Sequence, residues 1–78
     1  MKIDVTNSDW ATATVEANEV WQVQEGVVFV DRDSNAGTRH GIRLAPTMDA
    51  AGFQWLTAGT AYYRLASGTK ALIGIVRP

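Results

Sequence analysis

Val20-Trp21-Gln22-Val23-Gln24-Glu25-Gly26-Val27-Val28-Phe29-Val30 is the stretch on which the fold turns. Trp21 and Val23 alternate with Gln22 and Gln24, the period of two that places apolar side chains on one face of a strand. Glu25-Gly26 then interrupts the pattern. Glycine takes a positive φ at no steric cost, and strand-like residues lie on both sides, so the pair predicts a hairpin turn. Val27 to Val30 is apolar without alternation, as in a strand covered on both faces.

Outward from this stretch the same signals recur. Met1, Ile3 and Val5 alternate with Lys2, Asp4 and Thr6, predicting a short first strand. Asn7-Ser8-Asp9 is a turn cluster, and Trp10 to Val15 a second strand that Glu16-Ala17-Asn18-Glu19 ends. Downstream, Asp31 to His40 reads as a surface loop, Gly41 to Ala45 as an extended segment that Pro46 stops, and Thr47 to Ala51 as at most one helical turn. Phe53 and Trp55 share one face of a further strand, and Ala58-Gly59 turns into Ala61 to Leu65. Ala66-Ser67-Gly68-Thr69 predicts a hairpin loop before a last strand, Lys70 to Val76. About seven to eight short antiparallel strands, with no segment long enough for a helix, predict an all-β fold. The expectation is a single domain spanning residues 1–78, built as a small β-sandwich or a jelly-roll-like barrel.

Composition narrows the function classes. The chain has 78 residues, 46% hydrophobic and 19% charged, too apolar and too weakly charged for disorder. No apolar run reaches the length of a membrane span, and the polar opening Met1 to Asp9 is unlike a signal peptide, so a chain made in the cytoplasm and not secreted is expected. The absence of cysteine excludes disulfides, thiolate metal ligands and a thiol nucleophile. Burial of apolar surface on folding stabilises by ~115 kcal/mol for this mass, and ordering the chain costs about the same. So small a margin predicts that further area is buried between subunits.

Charge is divided along the chain. Residues 1–33 carry seven acids against Lys2 and Arg32, net −5, whereas residues 34–78 carry Asp49 against five cations, net +4. Either the charges pair within one surface, or an acidic face of one copy meets a basic face of another.

Three chemistries are testable against the residues. Asp31-Arg32-Asp33-Ser34-Asn35-Ala36-Gly37 has the alternating oxygens of a calcium loop, but its glycine stands one residue late and Ile42 occupies the bidentate Glu position. Turn geometry alone accounts for it. His40, the one histidine, has Ser34 and Thr38 nearby but no triad order or nucleophile elbow, so no catalytic, metal or cofactor site is expected. Arg32, Arg39, His40 and Arg43 form a basic group suited to binding a partner, and with Tyr62 and Tyr63 they give the second reading, a nucleic-acid-binding module. Against it stand a net charge of −1 and a pI near 5.6.

Trp10, Trp21 and Trp55 are many indoles for so small a core, since each N–H needs a partner. At least one is expected at a subunit interface, with Trp10 the first choice.

Residues from Val20 onward resemble very small β-sandwich proteins of tailed-bacteriophage particles. Val20 to Val30 is similar to their first hairpin, Gly41-Ile42-Arg43-Leu44-Ala45-Pro46 to a "G-x-x-L-x-P" step, and Ala58 to Val76 to their closing hairpin. The resemblance implies a non-enzymatic structural component of a virion or virion-like particle, of head-decoration, neck or spike-base type. Such a protein binds itself, with a trimer favoured, and other virion proteins. Met1 to Asp9 lies outside the resemblance, but its alternation suits addition to a neighbour's sheet edge. The interface residues so expected are Met1, Ile3, Val5, Trp10, Trp21, Trp55 and Tyr62, with Arg32, Arg39, His40 and Arg43 as a partner-binding loop.

Overall fold

The structure, a computed structural model, describes residues 1–32, 42–46 and 52–78. Six strands stand among them: β1 (Lys2–Val5), β2 (Ala11–Val15), β3 (Val20–Asp31), β4 (Ile42–Leu44), β5 (Gly52–Gln54) and β6 (Gly59–Val76). All pair antiparallel in one sheet, in which β3 and β6 are central and each carries two shorter partners. The all-β, antiparallel character expected of the sequence is what is found.

The expected number of strands is not. Two predicted hairpins are absent, because Val20–Gln24 and Val27–Val30 run on as one strand, and Ala61–Leu65 and Lys70–Val76 as another. Gly26 and Gly68 do have positive φ, +75° each. The conformation serves a bulge as readily as a turn. Opposite each other, Glu25 faces Leu72 and Val27 faces Ser67, so Gly26 alone on β3 spans what residues 68–71 span on β6. Both strands therefore pass through an irregularity and continue.

That irregularity divides the sheet into two four-stranded halves. In one, the start of β3 and the end of β6 are flanked by β5 and β1. In the other, the end of β3 and the start of β6 are flanked by β4 and β2. Alternation sends Val5, Trp21, Val23, Ile73 and Ile75 of the first half inward, and Val15, Val28, Val30, Leu44, Ala61 and Leu65 of the second, where they form one core with Trp55 and Ala71. Asn7 fixes the passage from β1 to β2. Its side chain donates to the carbonyls of Asp9 and Tyr63, and its own carbonyl accepts from Leu65 N–H.

Candidate interaction surfaces

Each half of the sheet turns a different face to solvent. On the second half, cross-strand pairing sets Arg64 beside Phe29, and Phe29 beside Arg43. Trp10, one residue before β2, lies on the other side of Arg64. The Arg64 guanidinium is 5.2 Å from the Trp10 ring and 4.6 Å from the Phe29 ring, with Nη1 donating to the Leu65 carbonyl. Tyr62, two residues from Arg64 on the same strand, stands between Thr12 and Asp31. The result is a half-buried row, Trp10–Arg64–Phe29–Arg43, with Arg43 at its exposed end. Cation–π contact holds the Arg64 guanidinium between two rings.

The first half presents an uncharged middle. Val20 and Val76 pair across β3 and β6, and Gln22 lies between Gly52 of β5 and Gly74 of β6. A shallow groove of about 390 Å³ opens along Val20, Trp21, Gln22, Gly52 and Gln54. Charge returns only at the flank, where Lys2 and Asp4 of β1 are both exposed.

A third feature lies at the rim of the core. Glu19 is fully buried and accepts from Trp21 Nε1 at 2.7 Å and from Arg77 Nε, with Glu16 3.8 Å from the same guanidinium. The backbone makes room for it. Asn18 adopts φ 66°, its N–H donates to the Trp55 carbonyl, and Trp55 N–H donates to the Glu19 carbonyl. The Arg77 guanidinium is held above its ordinary pKa chiefly by its hydrogen bond to Glu19; burial opposes the rise, and attraction to Glu19 and then to Glu16 adds to it. Trp21 packs edge-on to Trp55 at 5.5 Å and to Tyr63 at 6.2 Å.

The expected interface residues fall in three places. Trp10 and Tyr62 share the aromatic face with Arg43. Met1 and Ile3 lie along β1, Met1 well exposed and Ile3 half-buried. Val5, Trp21 and Trp55 are core residues, 0%, 1% and 7% exposed, so within one folded chain a neighbour does not reach them. The concern that a small core could not satisfy three indoles is met for Trp21 by the buried Glu19 carboxylate. Arg32 is engaged within the chain. It donates to Thr57 Oγ1 and to the Thr57 carbonyl, both at 2.7 Å, and lies 5.6 Å from the Trp55 ring. Arg39, His40 and most of the Asp31–Gly37 segment fall outside the described residues, as does the helical turn expected at Thr47 to Ala51. No group of metal-ligating side chains occurs among the described residues.

Sequence reasoning passed over Arg64 and Phe29. Their signal was present, because Arg64 follows Tyr62 by two residues in a strand and so shares its face. No family model, curated protein or solved structure matches the chain.

Proposed function

We propose that this chain is a non-enzymatic structural protein that self-associates and docks, in many copies, on a larger particle of the virion type. Its fold in this reading is a small β-sandwich or jelly-roll-like barrel, with the two halves of the sheet as its layers. The observation that carries the proposal is the row Trp10–Arg64–Phe29–Arg43 with Tyr62 beside it. Aromatic residues and arginine are the types enriched where proteins bury surface against each other, and rigid rings with a pre-positioned guanidinium lose little side-chain entropy on docking. Many copies on a symmetric surface multiply contacts that are weak one at a time. Light scattering of the purified chain over a range of concentrations tests self-association. A mass above 8.5 kDa that rises with concentration is expected, and a monomer throughout overturns it.

The same row favours one second reading. Tyr62, Phe29 and Trp10 offer stacking faces beside Arg64 and Arg43, the combination that single-stranded nucleic acid uses. Affinity for an oligonucleotide that falls steeply with salt would support it, and no binding at low salt removes it.

A further inference from the structure

The free edge of β1 has a property that the other three outer strands lack. Met1 and Ile75 exchange both backbone hydrogen bonds, Ile75 N–H to Met1 O at 2.8 Å and the Met1 amino group to Ile75 O at 3.2 Å. Antiparallel pairs alternate between bonded and non-bonded, so Ile3 opposite Ile73 and Val5 opposite Ala71 also bond inward. The N–H and C=O groups of Lys2 and Asp4 therefore point away from β6. Among the described residues, β1 pairs with β6 alone.

Those two residues are also the charged ones. Both are exposed, and their neighbours across β6 are Gly74 and Leu72, which offer neither charge. If a second β1 lies antiparallel with Ile3 facing Ile3, Lys2 of each copy stands opposite Asp4 of the other. Both members of each such pair have outward backbone groups, so each pair exchanges two hydrogen bonds and matches opposite charges at once. A slip of two residues brings Lys2 against Lys2 or Asp4 against Asp4. A slip of one sets outward groups against inward ones. Parallel pairing also aligns like charges. The edge thus favours one register and rejects its competitors. Of the other outer strands, β2 and β5 carry no charge, and β4 carries only Arg43, which no acid on that strand can meet.

We propose that two copies of this chain join through β1 in this register, making one continuous sheet about a two-fold axis through Ile3. The proposal rests on the self-association reading above and gives it a surface. An isologous edge closes with two copies, so its product is a dimer rather than the trimer that the phage resemblance implies.

Sedimentation and light scattering of four variants test it, with circular dichroism confirming that each stays folded. Wild-type chain is expected to form a reversible dimer. Lys2→Glu and Asp4→Lys should each raise its dissociation constant about tenfold, because two ion pairs become repulsions. Mixing those two variants in equal amounts sets an acid against a base in both cross-strand pairs of the mixed dimer, so association should return. The double swap Lys2→Glu/Asp4→Lys should restore it as well. Asp4→Pro deletes an outward N–H together with the carboxylate, leaves the bonds to β6 in place, and should abolish the dimer without unfolding the chain. An oligomer that ignores all of these, or one with the mass of a trimer, overturns the β1 edge and leaves self-association standing. A chain that stays at 8.5 kDa up to millimolar concentration overturns both.

Discussion

Arg77 reaches back fifty-eight residues to donate its Nε to Glu19, a carboxylate with no exposed surface. The pair closes the sheet at the point where β6 ends and β3 begins, and the second Glu19 oxygen orients the more deeply buried of the two core indoles, Trp21.

Breaking that arrangement should cost more than replacing it. Glu19→Ala strands the Trp21 N–H and is expected to destabilise by about 3 kcal/mol, the loss of charged hydrogen bonds together with a small cavity. Arg77→Ala should also lower the unfolding midpoint, whereas Arg77→Ala combined with Glu19→Leu should recover part of the loss, since no buried carboxylate is then left unpaired. Folding raises the Arg77 pKa, so its contribution is present at every pH below its ordinary value and is lost only in strong alkali. The difference between wild type and Arg77→Ala is therefore expected to stay level from about pH 6 to 9. Urea titrations at several pH values check both statements.

Gly26 and Gly68 share a φ of +75° but not their surroundings. A Cβ on Gly26 would lie 2.6 Å from the Lys70 carbonyl oxygen and 2.7 Å from the Ala71 Cβ, whereas one on Gly68 meets nothing within 4 Å. Gly68→Ala should cost about 1 kcal/mol of backbone strain, and Gly26→Ala about 3 kcal/mol or more because β3 and β6 must also move apart. Equal losses in chemical denaturation would show that the close approach does not matter.

A similar contrast holds between Gly52 and Gly74. A Cβ on Gly52 would meet the Trp21 carbonyl oxygen and backbone of β3, which cannot yield, so Gly52→Ala should detach β5. On Gly74 the obstacle is the end of the Gln24 side chain, which can swing aside, and Gly74→Ala should change stability by less than about 1 kcal/mol. Hydrogen exchange at β5 amides distinguishes the two.

Arg32 and Arg43 should separate stability from binding. Arg32→Ala removes two hydrogen bonds to Thr57 and the contact with the Trp55 ring, and is expected to destabilise by ~1 kcal/mol. Arg43→Ala touches only the exposed end of the aromatic row and should leave the unfolding midpoint unchanged while weakening any partner that docks there. Thermal melts of the two variants suffice for the first half of this comparison.

Local pattern was enough for the strands whose side chains alternate. Lys2–Val5, Ala11–Val15 and the inward Trp21, Val23, Ile73 and Ile75 follow from a period of two. Local pattern could not distinguish a turn from a bulge at Gly26 or Gly68, because both need the same φ and only the pairing of distant strands chooses between them. Glu19 shows the same limit. In sequence it reads as a strand breaker beside Asn18, and nothing near it announces the guanidinium and indole that make its burial tolerable. On the aromatic face, Trp10 and Tyr62 were legible as ring-bearing positions, whereas the meeting of Trp10 and Phe29 around Arg64 depends on the register of β2 and β3 against β6.

Among the described residues, all the shorter strands lean on β3 or β6, and β1 and β2 lean on β6 alone. During synthesis this orders events in time. β1 leaves the ribosome before the other five strands, yet its partners are residues 71–74, so it is among the last of them to be paired. Until then Val5 has no sheet to cover it, and a chain stalled before Ala71 is one that chaperones would hold and proteases would find.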